Sequence, residues 1–133
     1  MYLLDISVIT RIREPTIVRR IEELDRDGLA RAPMTDLEVG FSARSGDDWD
    51  RRSAALGAFR RVDVEARHFD RAGQVQRALA AGGLRGRKIP DLLIAAVAES
   101  ASLIVLHYDA DFDHIATVTG QPTEWIVERG SIN

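Results

Sequence analysis

Two short apolar runs lie near the two ends of the chain, and carboxylates follow each of them. Tyr2-Leu3-Leu4 leads into Asp5, and Leu103-Ile104-Val105-Leu106 is followed by Asp109, Asp111 and Asp113. Neither run alternates with polar residues, which is typical of strands buried on both faces of a parallel sheet. Because such sheets bind ligands beyond the carboxyl ends of their strands, the two runs predict a site at one sheet edge.

Between these runs, apolar residues recur at helical spacing and are separated by Gly, Pro and capping residues. The pattern predicts helices over Ser7–Arg13, Thr16–Asp27, Asp36–Arg44, Asp50–Phe59, Ala66–Ala81, Leu92–Ser100 and Asp111–Thr117. It predicts further strands over Leu29–Pro33, Arg61–Val64, Leu103–His107 and Trp125–Val127. Strands that alternate with helices favour an α/β sandwich around a mainly parallel sheet.

Apolar stripes and polar stretches indicate which side of each helix faces the core. The expected stripes are Phe69, Ala72, Val75 and Leu79 in one helix, Ile17, Ile21 and Leu24 in another, and Leu37, Phe41 and Arg44 in a third. The stripe that starts at Ile17 has a second interpretation, as one side of an open groove for an amphipathic partner segment. The segment Ser45–Asp50 is expected to be a polar loop from which Trp49 packs onto the fold.

Length and composition restrict the class of protein. The 133 residues, of which 45% are hydrophobic and 29% charged, suit a single globular domain over residues 1–133. No apolar stretch is long enough to span a bilayer, and the start of the chain lacks the pattern of a signal peptide, which predicts a cytoplasmic protein with no membrane partner. The absence of Cys excludes disulfides and thiolate metal sites.

The basic residues are almost all arginine, although the net charge is −3. Arginine binds phosphate better than lysine does, so local clusters can bind a polyanion even in an acidic protein. Arg85, Arg87 and Lys88 lie shortly before Asp91, and we predict that they bind the phosphates of a polyanion beside an acidic centre. The alternative is that they form a solvated, ion-paired face.

Five acids fall at predicted strand exits or helix starts, and we expect them to converge at one edge of the sheet. They are Asp5, Glu38, Asp91, Asp109 and Asp111. Like charges held together are costly unless a cation neutralises them, and oxygen ligands without Cys favour Mg²⁺ or Mn²⁺. Local explanations compete for two of the acids, because Asp5 can cap the next helix and Glu38 can form a capping box with Thr35.

Other kinds of site fit the sequence less well. The segment from Asp109 begins like a calcium loop, but His114 and Gly120 stand where Gly and Glu are needed. No phosphate-binding glycine loop, no paired acids of a receiver domain and no nucleophile elbow are present. His107 is expected to be structural, and His68 and His114 are expected at the surface or the edge of the core.

Four segments, in order along almost the whole chain, resemble the PIN-domain ribonucleases and, among these, the VapC toxins of VapBC toxin–antitoxin pairs. They are Leu3-Leu4-Asp5-Ile6-Ser7, the stretch from Thr35 to Arg44, the stretch from Ile89 to Ala96, and the stretch from Val105 to Phe112. Ile6 departs from the Thr that is usual in the family, while Ser7 is kept.

The resemblance implies a three-layer α/β/α sandwich and a metal-dependent endoribonuclease. It assigns Asp5, Glu38, Asp91 and Asp109 as the catalytic acids that bind Mg²⁺ or Mn²⁺, with Asp111 as a further metal-site acid and Ser7 in support. It also makes RNA the polyanion that Arg85, Arg87 and Lys88 are expected to bind. It further implies a homodimer and a cognate VapB-type antitoxin. The alternative is a catalytically weak binding module whose acidic groove binds a basic segment of a partner.

Overall fold

A computed structural model describes residues 1–133 and contains one five-stranded parallel sheet. The strands are β1 (Tyr2–Leu4), β2 (Leu29–Arg31), β3 (Arg60–Arg61), β4 (Ile104–His107) and β5 (Thr123–Trp125), in the order β3-β2-β1-β4-β5. Leu3 pairs with Ala30 on one side and with Val105 on the other, so the two apolar runs lie side by side at the centre of the sheet. The predicted neighbouring strand exits are therefore confirmed.

Seven α-helices and one 3₁₀ helix connect the strands. The helices are α1 (Ile6–Ile9), α2 (Pro15–Glu23), α3 (Pro33–Gly40), α4 (Gly46–Leu56), α5 (Ala66–Ala81), α6 (Ile89–Ser100) and α7 (Asp111–Thr119), and the 3₁₀ turn is Arg26–Gly28. None of them is long and apolar enough to cross a membrane.

Helices cover both faces of the sheet, which gives the predicted three layers. Successive strand residues point to opposite faces, so Leu3 belongs to the larger core, with α5, α6 and α7, whereas Leu4 belongs to the smaller core, with α1 and α2. Both leucines are fully buried. Burial on both faces explains why β1 and β4 have no polar alternation.

The predicted loop Ser45–Asp50 is wrong, because α4 already begins at Gly46. The Ser45 side chain accepts a hydrogen bond from the Asp48 N–H, which makes Ser45 the N-cap. Trp49 therefore lies on a helix. Its indole lies against Gly40 of α3 so closely that a Cβ at Gly40 would collide with the ring, and this contact explains the glycine.

One residue of the α5 stripe was assigned wrongly. Phe69 is 58% exposed, and the buried face begins instead at His68. The His68 Nδ1 accepts a hydrogen bond from the Glu65 N–H at 2.8 Å and so satisfies a free donor at the start of the helix. The prediction that His68 lies at the surface or the edge of the core is therefore wrong, because His68 is buried where it caps the helix.

The stripes of α2 and α3 also differ from expectation. Ile17 is fully buried and Ile21 packs against the smaller core, so the α2 stripe is core and the open-groove interpretation is wrong. In contrast, Leu37 of α3 is 72% exposed, and Phe41, the residue that caps the end of α3, is 91% exposed. Leu37 and Phe41 are exposed because α3 starts at Pro33, a favoured first helical residue. This start turns Thr35, and not the predicted stripe, toward the core.

Candidate active site

Asp5 stands at the exit of β1 and caps α1. Its Oδ2 accepts hydrogen bonds from the Ser7 N–H at 3.0 Å and from the Ser7 hydroxyl at 2.6 Å. The Ser7 Oγ in turn accepts a hydrogen bond from the Tyr108 N–H at 2.8 Å, which ties this end of β1 to the chain after β4. The capping interpretation of Asp5 is therefore correct, and the same bonds fix its carboxylate at the sheet edge.

Asp91 comes from the first turn of α6 and is 2% exposed. Its Oδ2 has no hydrogen-bond partner. Burial, followed by the nearby charge of Asp5, raises the pKa of Asp91 to about 8. A buried carboxylate oxygen without a partner is costly, so this atom fits a site that receives a cation.

Asp109 follows β4 and is bound on both of its oxygens. Its Oδ1 accepts a hydrogen bond from the Asp111 N–H at 2.9 Å, and its Oδ2 accepts one from the Lys88 ammonium at 2.8 Å. Burial acts to raise the pKa of Asp109, but these hydrogen bonds together with the Lys88 charge outweigh it and lower the pKa. Asp109 is therefore the carboxylate of the site that holds its negative charge most readily.

These three carboxylates, which we call the acid cluster, converge on one point. One oxygen from each of Asp5, Asp91 and Asp109 lies within 4.8 Å of the others. The Lys88 ammonium, 3.7 Å from the Asp91 Oδ2, is a tethered cation at the same point. The all-oxygen donor set, the Asp91 oxygen that accepts no hydrogen bond and the attraction of this point for a positive charge together fit a hard divalent cation such as Mg²⁺ or Mn²⁺.

Glu38 borders the acid cluster but is not part of it. Its Oε1 is buried without a partner, and burial, followed by the charge of Asp5, raises its pKa. The capping-box interpretation is wrong, because Thr35 lies inside α3 and its Oγ1 makes no hydrogen bond. The nearby acid Asp36 is engaged elsewhere, since it pairs with Arg31 at 2.8 Å.

Two of the three residues expected to bind RNA contact acids instead. Arg87 donates to the Asp111 Oδ1 at 2.8 Å, which also places Asp111 outside the acid cluster. Lys88 pairs with Asp109, and only Arg85 of the connector is exposed without an ion pair. The three-residue spacing from Lys88 to Asp91 across the start of α6 was an available signal for the contact of Lys88 with Asp91, but not for its pairing with Asp109.

His107 is structural, as expected. It is fully buried at the end of β4, and its Nδ1 accepts a hydrogen bond from the Asp109 N–H at 3.1 Å. Its ring lies 5.0 Å from those of Phe112 and Trp125. Burial lowers its pKa to about 4, so the ring is neutral and supports the Asp109 backbone.

Comparison with known proteins decides the family. The family model of the PIN domain matches residues 2–118. The chain belongs to the PIN-domain family. It is 56% identical to Ribonuclease VapC51 of Mycobacterium tuberculosis over 99% of this chain and 97% of that protein. It is 45% identical to Ribonuclease VapC21 of the same species over 98% and 96% of the two chains. The resemblance of this PIN domain to the VapC group is thereby confirmed.

Solved structures agree with the fold. VapBC-1 from nontypeable Haemophilus influenzae superposes with a TM-score of 0.78 at 19% identity and covers 96% of this chain and 98% of that one. DNA-bound VapBC from Salmonella typhimurium gives a TM-score of 0.76 at 22% identity, covering 95% and 98%. At such low identity the likeness concerns the fold alone, and it confirms the three-layer arrangement.

Proposed function

We propose that this PIN-domain protein is a metal-dependent endoribonuclease toxin that hydrolyses RNA phosphodiester bonds and is neutralised by a cognate antitoxin. The observation that carries the proposal is the acid cluster, in which three carboxylates from separate elements converge and one buried oxygen, the Asp91 Oδ2, accepts no hydrogen bond. The relatives named ribonucleases support the substrate class. The whole length of the chain takes part, as one PIN domain over residues 1–133.

Asp5, Asp91 and Asp109 would hold Mg²⁺ or Mn²⁺, and Asp111 would support the site through its hydrogen bond to Asp109. Such an ion, when bound, polarises the scissile phosphate and stabilises the leaving oxygen. Ser7 keeps the Asp5 carboxylate oriented through two hydrogen bonds. The choice of ion follows from oxygen-only ligands.

Glu38 would act on the attacking water, or on a second ion, from the border of the cluster. Its Oε1 would accept a proton from that water, and its raised pKa makes it a stronger base than an ordinary carboxylate. Its free, buried oxygen supports this role. Glu38→Gln should therefore reduce cleavage while ion binding by the three aspartates continues.

The test is cleavage of single-stranded RNA by the purified protein in Mg²⁺, in Mn²⁺ and in excess chelator. We expect cleavage only with the ions, and Asp5→Asn should reduce it by at least about 10²–10³-fold. Asp70→Asn, a change of an exposed carboxylate on α5, is the matched control and should cleave like the wild type. Circular dichroism on the same samples checks that the variants fold.

The same experiment separates the rival hypothesis of a binding module. Absence of cleavage in either ion would favour a module whose acids bind a basic segment, as Lys88 shows that they can accept an ammonium group. Cleavage that persists in chelator, or in Asp5→Asn, would contradict the assignment of the site.

The partner proposals rest on the family. Solved relatives are described as VapBC or toxin–antitoxin complexes, which supports a VapB-type antitoxin for this chain as well. The exposed Leu37 and Phe41, on and directly after the helix that carries Glu38, supply an apolar surface for a protein partner beside the site. A homodimer and a cytoplasmic location complete the proposal, and a sedimentation measurement of the purified toxin tests the dimer.

A further inference from the structure

A groove of about 1170 Å³ lies between the segment after α1, helix α4 and residues 130–133. Four arginines line it, and we call it the arginine groove: Arg11, Arg13, Arg51 and Arg52. The acidic side chains in its lining are Glu14 and Asp48, which leaves a side-chain charge of four minus two, or +2. This local excess is opposite in sign to the net charge of −3 of the whole chain. The groove is therefore a basic surface on an acidic protein.

In each wall of the groove, one arginine donates a hydrogen bond to the backbone carbonyl of a residue close to an active-site acid. On one wall, Arg11 donates from Nη1 to the Ser7 carbonyl at 2.8 Å, and Ser7 holds Asp5. On the other wall, Arg52 donates to the Val39 carbonyl at 3.5 Å, and Val39 directly follows Glu38. These two contacts place Arg11 and Arg52 close in space to residues adjoining Asp5 and Glu38.

The chemistry of the lining selects a polyanion. Only four of the 14 lining residues are hydrophobic, which disfavours an apolar helix as the occupant. The volume exceeds the roughly 300–1,000 Å³ of small-molecule sites, so a segment of a chain fits better than a single nucleotide. Guanidinium groups match phosphate oxygens in geometry as well as in charge.

Two of the arginines are available to such a ligand. Arg13 is exposed and makes no ion pair or hydrogen bond. Arg51 is 77% exposed, and its contact with Asp48, at 3.3 Å, is an ion pair of the kind that water screens strongly. Arg11 and Arg52, by contrast, are committed in part to backbone carbonyls.

We propose that the arginine groove binds the phosphates of single-stranded RNA on one side of the bond to be cut. This assignment rests on the proposed ribonuclease function, since it makes RNA the ligand. It also differs from the expectation that the connector residues Arg85, Arg87 and Lys88 bind the RNA phosphates.

The test is RNA binding by Arg13→Ala/Arg51→Ala, measured by fluorescence anisotropy in chelator, so that cleavage does not interfere. A labelled RNA of roughly 12 nucleotides suits a single-strand site. Each lost contact removes about 0.7 from the slope of log affinity against log salt, so the slope should fall by about 1.4 and affinity at about 0.1 M salt by about 25-fold. Arg26→Ala/Arg77→Ala, which removes two exposed arginines on other elements, is the control and should lose far less.

The possible outcomes test RNA binding by the groove and the ribonuclease function separately. An unchanged affinity and slope in Arg13→Ala/Arg51→Ala, while the wild type still cleaves RNA, would overturn the groove alone. The expected loss of binding in a protein that never cleaves would leave the groove and overturn the nuclease. A variant that binds RNA normally but has lost the antitoxin would show that the groove is a protein interface, and an equal loss in the control would show non-specific attraction; either result overturns the proposal.

Discussion

The acid cluster and the arginine groove are linked through Ser7, whose hydroxyl donates to Asp5 and whose carbonyl accepts from Arg11. The two regions nevertheless treat charge in opposite ways. Asp91 in the cluster is 2% exposed, and burial raises its pKa to about 8. Asp48 in the groove accepts hydrogen bonds from the Arg44 N–H and from two arginines, and these lower its pKa to about 2. An aspartate side chain thus resists ionisation in the acid cluster and ionises readily in the arginine groove.

This difference indicates that the acid cluster is suited to catalysis, whereas the arginine groove is suited only to binding a ligand. In the cluster, Asp5 and Asp91 are buried and the carboxylates repel one another, so a cation at that point strongly changes the free energy of the folded state. In the groove, water and salt screen each pair, so single contacts are weak and the effect comes from their sum. We therefore expect large, discrete effects in the cluster and small, additive ones in the groove.

The largest predicted effect is on the free energy of unfolding, and it should come from Asp91→Asn in metal-free protein. The folded-state pKa of Asp91 lies above its unfolded value, so its contribution to stability is complete below about pH 4 and is lost as the pH rises through about 8. Each pH unit in this window costs up to about 1.4 kcal/mol. Asn cannot ionise, so the variant should be more stable than the wild type by a margin that grows to a few kcal/mol between about pH 5 and pH 8.

Urea unfolding in chelator across this pH range measures the margin. Asp70→Asn, on the exposed side of α5, is the control and should show no such growth. Added Mg²⁺ or Mn²⁺ should then stabilise the wild type but not Asp91→Asn, because an ion bound to the folded state adds stability by mass action. A margin that stays constant with pH would mean that Asp91 is not held in an unfavourable charged state.

The next effect concerns the tethered cation of the cluster. Lys88→Met removes the ammonium group that donates to Asp109 at 2.8 Å and lies near Asp91. A divalent ion no longer has to displace this charge-assisted hydrogen bond, so Mn²⁺ should bind about tenfold more tightly in calorimetry at pH 8. Arg85→Met, three residues earlier in the connector, should bind Mn²⁺ like the wild type. Weaker binding in Lys88→Met would mean that Lys88 holds the carboxylates in place instead of competing for them.

Local sequence patterns predicted the central strands and the acids well. Tyr2-Leu3-Leu4 and the run before His107 are uninterrupted because both faces of those strands are covered, and a carboxylate directly after such a strand has one edge to occupy. α5 was predicted with its observed bounds, Ala66–Ala81, because it is long and has a glycine directly after it. These features depend on residues close together in the chain.

The features that sequence patterns missed depend on tertiary distances. Pro33 competed with Thr35 as the start of α3, and the choice between them decides whether Phe41 is inside or outside. The pairing of Lys88 with Asp109 joins residues 21 positions apart. The arginine groove combines three separate segments of the chain, and hydrophobic periodicity carries no information on their approach.

A smaller effect in the opposite direction is expected from Asp48→Asn in the groove. The change raises the side-chain charge of the groove from +2 to +3 and releases Arg51 and Arg52 from their shared partner. One further phosphate contact should raise RNA affinity about fivefold at about 0.1 M salt and steepen the salt slope by about 0.7. Asp70→Asn, which adds the same charge elsewhere, is the control in the anisotropy assay. Equal gains in both variants would show that net charge, and not the groove, attracts the RNA.

The smallest effect is expected from Arg85→Ala in the connector. Arg87 and Lys88 are bound to Asp111 and Asp109, so Arg85 is the connector cation that is free to contact a phosphate. It is exposed, and we expect at most one screened contact, so the salt slope should fall by no more than about 0.7. Combined with Arg13→Ala/Arg51→Ala, it should add its own increment, because distant, independent sites behave additively. A loss in Arg85→Ala larger than that in the groove variant would reverse the comparison: RNA would then enter over the connector, as the sequence alone had indicated, and the arginine groove would serve another ligand.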